Sequence, residues 1–335
     1  MEIISPQFNG NIVKKPWFRR PIFYVLSILA MVVIYFGFNL ALVYNSIAIF
    51  GGNNAYNQVI ENDPNPVPKE EPDRLDVLVL GIRGDTSQEI EQEGGLLSDT
   101  ILVVSYDKKT GKVALISIPR DLSIDISGVK GKINQIYERG LEHNQGVSLA
   151  EQIVSKITGT YIDKTIVFDF NAFKNIVDTI GGIDINLAKP FSESAQWGYL
   201  FSLPAGNNHL DGQKALYYVR SRFSSSDFDR SRRQIEVILT IKNKLIKNGY
   251  FSNPVKITNL LVALKNDIKT DFQIWDIRDV FNLMQTFDPK SPVKNYVMTS
   301  DNLLYESRTQ KGEFILLPKG DNYDGIKNLF SSIFI

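Results

Sequence analysis

Five of the chain's thirteen arginines fall between Arg220 and Arg233, in YVRSRFSSSDFDRSRRQ, and a sixth, Arg120, stands in SIPRDL. A guanidinium stays charged and donates paired hydrogen bonds to phosphate oxygens in a geometry that lysine cannot match. Lysine outnumbers arginine 24 to 13 overall, so the local bias is not general basicity. The grouping predicts a phosphate clamp. If the chain is extended after Val219, a period of two puts Arg220 and Arg222 on one side. If a helix begins near Asp229, Arg230, Arg233 and Gln234 share a face at i, i+3 and i+4, close to an N-terminus that favours anions. Arg232 then points away, as a surface or salt-bridge residue. The bland alternative for all of these is exposed pairing with Asp227, Asp229 and Glu236, which adds little stability.

Composition narrows the chemistry. Formal net charge is zero, and Lys14, Lys15, Arg19 and Arg20 against Glu2 leave the rest of the chain slightly acidic. An arginine focus on such a body argues for one local anion site and against nucleic acid, which would need a broad basic face. There is no cysteine, so disulfides, thiolate catalysis and cysteine-ligated metals are excluded. Neither a P-loop nor a G-x-S-x-G elbow is present, and His143 and His209 are too few and too scattered for a metal site.

These side chains need a scaffold. Residues 1–20 read as a cytoplasmic tail and Pro21–Val43, uncharged and apolar but for Ser27 and Asn39, as a transmembrane helix. The four basic residues before it keep that end inside, which puts the remainder outside the cytoplasm. Residues 44–75 form a linker stiffened by Pro64, Pro66, Pro68 and Pro72. The globular part, residues 76–250, opens on DVLVLGI, DTILVVSYD and KVALISIP, apolar runs suited to strands of an α/β sheet, with KKTG as a tight turn. Ser148 and Glu151 form a capping-box pattern, TIVFDF reads as another strand, and Asn171 reads as the cap of a helix ended by Gly181 and Gly182. A long amphipathic helix runs from the arginine cluster to Gly249. Residues 251–335 end in a strand and helix that complete the domain or form a small appendage. The expected fold is α/β: a single mixed β-sheet flanked by helices, after an N-terminal transmembrane helix.

Taken in order, LVLGI, GGLLSDTILVVS, LISIPRDL, GKINQIYERG, VDTIGGIDI, LPAGNNHLDGQKALYYVRSR and DFDRSRRQ resemble the LytR-CpsA-Psr family over about Asp76 to Lys247. The resemblance implies a membrane-anchored, extracytoplasmic phosphotransferase. It would move a glycopolymer, such as a teichoic acid or capsule-like polysaccharide, from a polyprenyl-pyrophosphate carrier onto peptidoglycan or another surface acceptor. By the same resemblance Arg120, Arg220, Arg222, Arg230, Arg233 and Gln234 hold the pyrophosphate, Asp99 binds the divalent cation, Mg²⁺ or Mn²⁺, that two phosphates beside carboxylates need, and Lys132 and Asn134 of GKIN contact pyrophosphate or acceptor. Asp121 completes the metal site or orients an arginine, unless it is a plain helix cap. The chain departs from the family pattern at LGIRGD and at Leu97 before Ser98. Asp85 is therefore expected to supply the second metal carboxylate and Arg83 the missing arginine. Hydrolysis of the same lipid, or its binding by a non-catalytic regulator, are the competing readings.

Overall fold

Apolar alternation sets the centre of the molecule. In the computed structural model, which describes residues 65–84, 94–194, 196, 198–250, 253–272 and 292–335, β1 (Arg74–Gly81), β2 (Thr100–Asp107) and β3 (Val113–Ser117) form an antiparallel meander. The turn between β2 and β3 closes where Gly111 takes φ 69° and the Asp107 carboxylate accepts from the amides of Lys109 and Thr110. A hairpin of β4 (Ser123–Ile126) and β5 (Val129–Lys132) follows, then α1 (Ile136–Glu142), α2 (Ser148–Thr158), β6 (Lys164–Phe168) and α3 (Phe170–Thr179). Next come β7 (Ile183–Leu187), β8 (Phe191–Glu193), β9 (Phe201–Leu203) and β10 (Gly206–Leu210), with β7 paired to β10 and β8 to β9. The chain continues through α4 (Gly212–Arg220), α5 (Asp227–Lys247), α6 (Pro254–Leu264), β11 (Ile268–Thr270), β12 (Val293–Val297), a hairpin of β13 (Leu304–Arg308) and β14 (Phe314–Pro318), and α7 (Asp324–Ser332).

The main sheet has the order β11-β6-β1-β2-β3-β12. Its β6 and β12 lie parallel to β1 and β3, and the other pairs are antiparallel, so the sheet is mixed. Leu78, Leu80, Ile101, Val103, Ala114 and Ile116 project from one face onto Ile153 and Ile157 of α2 and Ile326 and Phe330 of α7. The C-terminal helix therefore contributes to the principal core. Leu102 and Leu115 face the other way, onto Ile235 of α5. A further cluster joins Phe173 and Val177 of α3, Leu216 and Val219 of α4, and Val237 of α5. Two faces covered by helices are what continuous apolar strands require.

Several local expectations are corrected. The cap of α3 is Asp169, whose side chain accepts from the amide of Ala172, rather than Asn171. Ser148 is the first residue of α2, Val147 precedes it with no side-chain cap, and Glu151 turns inward to accept from the Thr165 hydroxyl. Its hydrogen bonds with Thr165 and Asp271 take the place of the capping bond. Helix α5 starts at Asp227, two residues before the expected start, with Ser226 and Asp229 in a reciprocal capping box. Among the described residues no helix is long and apolar enough to cross a membrane, and the expected span Pro21–Val43 lies outside them.

Candidate active site

Two antiparallel strands bring the first charged pair together. Asp99 immediately precedes β2 and Arg120 lies three residues beyond β3, so both stand at the same end of the sheet. Nη1 of Arg120 donates to Oδ1 of Asp99 at 2.6 Å, and its Nε lies 3.3 Å from Oδ2 of Asp227 and 3.4 Å from Oδ2 of Asp121. Burial disfavours the charge on Arg120, but the three carboxylates more than offset it and raise its pKa. Nζ of Lys132 donates to Oδ1 of Asp121 at 2.8 Å.

The C-terminal end of α4 and the first turn of α5 supply the other arginines. Arg220 is the last residue of α4 and Arg222 lies beyond the helix, so the two are not set by an extended strand. Asp211 starts α4 by accepting from the amide of Lys214. The Arg220 guanidinium lies 4.0 Å from the centroid of the Phe170 ring, at the start of α3. Burial, followed by the nearby Arg83 and Arg230, pushes its pKa down to about 10, against the opposing pull of Asp99, and it stays charged at neutral pH. Gln196 fastens the turn by donating to the carbonyl of Arg220 at 3.1 Å and accepting from the amide of Arg222 at 3.0 Å. Arg230 is 6% exposed, and its Nη1 lies 3.5 Å from Oδ1 of Asp227. Its pKa is lowered by burial and then by Arg120 and Arg222, with Asp227 and Asp99 opposing. The same burial lowers the pull of solvent on Asp227, but Arg230, Arg120 and Arg222 hold its carboxyl below the usual range.

Two cavities meet at this cluster. One, of about 360 Å³, lies between the sheet and α3, α4 and α5, and its wall is mostly apolar: Val79, Leu102, Val104, Phe173, Ile176, Leu216, Ile238 and Ile241. The other, of about 420 Å³, carries Asp121, Lys132, Ser226, Asp227 and Ser231. They share Asp99, Thr100, Arg120, Arg222, Arg230 and Gln234, while Arg83 and Arg220 belong to the apolar one. Described wall residues comprise six cations (Arg83, Arg120, Lys132, Arg220, Arg222, Arg230) against four carboxylates (Asp99, Asp121, Asp227, Glu306), an excess that suits an anion. Nε of Arg83 and Nε of Arg230 are buried and have no hydrogen-bond partner among the described residues. A buried cationic N–H without an acceptor is costly unless a ligand supplies one.

The remaining expected residues are placed differently. Arg233 lines neither cavity. Its Nε donates to the carbonyl of Tyr218 at 2.9 Å, its Nη2 to the carbonyl of Ser221 and its Nη1 to Ser225 Oγ at 3.1 Å. Asn134 also stays out of both cavities; its backbone N–H donates to the carbonyl of Arg120 and its backbone carbonyl accepts from the N–H of Ser98, which joins the two motif turns. Arg232 is exposed and pairs with Asp229 at 2.6 Å. Asp85 lies outside the described residues. The sequence offers Asp227 only as a salt-bridge partner. Its position one turn before Arg230, on the arginine face of α5, is the signal that marks it as part of the site.

Residues 45–329 match the profile of the LytR_cpsA_psr family. A polyisoprenyl-teichoic acid–peptidoglycan teichoic acid transferase, TagU, of Bacillus cereus (strain AH820) is 29% identical over 78% of this chain and 82% of its own. The regulatory protein MsrR of Staphylococcus aureus (strain COL) is 30% identical over 75% of this chain and 74% of its own. The crystal structure of Bacillus subtilis TagV superposes with a TM-score of 0.60 at 22% identity, covering 78% of this chain and 97% of that one, which fixes the fold.

Proposed function

The chain belongs to the LytR-CpsA-Psr family, and on that premise we propose that it transfers a phosphate-linked glycopolymer from a polyprenyl-pyrophosphate carrier to peptidoglycan. The observation that carries the reading is the junction itself. A mostly apolar cavity, suited to a lipid chain, ends at arginines of which two, Arg83 and Arg230, have a buried Nε with no acceptor among the described residues, which suits a pyrophosphate at the end of that lipid.

The chemistry asks mainly for positioning and charge stabilisation. The acceptor hydroxyl oxygen bonds to the glycan-side phosphorus while the bridging P–O bond breaks. The electron pair of that bond leaves on polyprenyl phosphate, where Arg83 and Arg220 face the developing charge. Arg120, Arg222 and Arg230, common to both cavities, face the phosphoryl group in flight. The departing hydroxyl proton passes to a wall carboxylate; Asp227, held ionised by its arginines and with 34% of its side chain exposed, is the more accessible, against 11% for Asp121.

Asp99 fits a divalent cation by its donor chemistry: it is a carboxylate on a wall common to both cavities, and Arg120 engages one of its two oxygens. Mg²⁺ held there would neutralise pyrophosphate charge. We further infer that Pro21–Val43 anchors the enzyme in the bilayer with its catalytic part outside the cytoplasm, as the uncharged run and the basic residues before it support.

Full-length protein in detergent, given lipid-linked teichoic acid precursor, Mg²⁺ and peptidoglycan, is expected to yield covalent glycan on the wall and free polyprenyl phosphate. Release of free glycan phosphate would indicate hydrolysis instead. Binding without turnover would mean a regulator.

A further inference from the structure

The polar cavity has a wall that the arginine motifs do not provide. Glu306, Phe314 and Leu316 of the β13–β14 hairpin close it, about eighty residues beyond the last arginine of the cluster. The hairpin is fastened to the site turn, because the amide of Leu316 donates to the carbonyl of Asp121 at 2.9 Å and Leu316 bridges Leu122. Its register sets Glu306 opposite Leu316 and Arg308 opposite Phe314, so these four residues share one face. Leu304 and Leu316 are buried and secure the hairpin to the principal core. Phe314 is different: 39% of it is exposed, in a hollow, where burial gives no reason for an aromatic ring. The carboxylate of Glu306 has no hydrogen bond or ion pair among the described residues.

We propose that this cavity is the acceptor subsite, taking an amino-sugar pyranose of the peptidoglycan strand, with Phe314 against the C–H face of the ring and Glu306 accepting from its hydroxyls. An aromatic face beside an open acceptor matches a sugar, which offers one apolar surface and a rim of O–H donors. A cavity of about 420 Å³ is also in the range of small-ligand sites. Direction selects acceptor over donor. In-line transfer places the attacking oxygen opposite the leaving lipid phosphate. From the shared arginines the apolar cavity runs to α3 and α4, and the polar cavity runs to Lys132 of β5 and the β13–β14 hairpin.

The assignment rests on the transfer reading, and its test separates the two. With full-length enzyme and soluble peptidoglycan fragments, Phe314→Ala is expected to raise KM for the acceptor about five- to tenfold, the scale of one aromatic contact, with KM for the lipid donor unchanged. Glu306→Gln should raise acceptor KM by a smaller factor, and Phe314→Tyr, which keeps the ring, should recover most of the acceptor affinity lost in Phe314→Ala. Unchanged acceptor KM in both Phe314→Ala and Glu306→Gln, or a rise confined to the donor, overturns the assignment. A second readout is chitotetraose affinity by calorimetry, expected to weaken by a similar factor in Phe314→Ala. If the wild type transfers nothing, the transfer reading fails, while the chitotetraose titration still decides the sugar site: loss in Phe314→Ala supports it and equal affinity overturns it.

Discussion

Arg120 and Asp99, twenty-one residues apart, are joined by a 2.6 Å contact between Nη1 and Oδ1 at the shared end of β2 and β3. Arg120 also reaches Asp121 and Asp227, so its removal leaves three carboxylates facing an incoming pyrophosphate. Arg120→Ala is expected to lower kcat/KM by about 100-fold or more, the usual scale for losing a charge-stabilising donor. Arg120→Lys should recover little, since an ammonium cannot contact the three carboxylates in the fork geometry of a guanidinium. Steady-state kinetics within tenfold of wild type for Arg120→Ala would falsify the clamp.

Phe170 lies under Arg220, with 4.0 Å from the guanidinium to the ring centroid. Phe170→Leu keeps apolar bulk but removes the π-face, a contact of about 0.5–2 kcal/mol. Affinity for farnesyl pyrophosphate, measured calorimetrically, should fall about three- to tenfold, as 1.4 kcal/mol corresponds to tenfold. Farnesol, which lacks the phosphates, should bind both proteins alike. An equal loss for farnesol would mean that Phe170 acts only as cavity wall.

The strands and the arginines were legible in the sequence because each carries a local pattern: continuous apolar runs for β1, β2 and β3, and a spacing of i, i+3 and i+4 for Arg230, Arg233 and Gln234. What the pattern could not separate is Arg230 from Arg233. Both sit on one helical face, yet the first lines both cavities while the second is taken up by carbonyls at the end of α4. That difference depends on where α4 stops, a long-range relationship between two helices. The role of Glu151 was hidden for a similar reason. A capping box is a local rule, and Glu151 is drawn instead to Thr165 on β6 and to Asp271 just past β11, residues far from it in sequence. The polar cavity's far wall, from β13 and β14, carries no motif at all.

Arg233 accordingly predicts a stability effect. Its guanidinium is buried and serves the carbonyls of Tyr218 and Ser221. Arg233→Met leaves those acceptors unsatisfied and should cost about 2–4 kcal/mol. Chemical denaturation would register this as a lower midpoint. Arg232→Ala, which removes only the exposed pair with Asp229, should stay within about 0.5 kcal/mol of wild type.

Glu151 predicts how stability varies with pH. It is 7% exposed, accepts from the Thr165 hydroxyl at 2.7 Å and lies beside Asp271, which accepts from the amide of Thr165 at 2.6 Å. Burial first, and the Asp271 charge second, push its pKa up from 4.5 to about 8, so the pair holds a proton at neutral pH that the unfolded chain gives up. The folded state then binds more protons than the unfolded state between these values, and stability falls as pH rises. Its contribution is fully present below about pH 4.5 and is lost as pH passes through about 8. Gln in place of Glu151 still accepts from Thr165 and can donate to Asp271 without titrating. Glu151→Gln should therefore flatten the decline of Tm with pH across this window, relieving a slope of at most about 1.4 kcal/mol per pH unit. Parallel Tm profiles for the two proteins would show that the buried pair does not carry the proton.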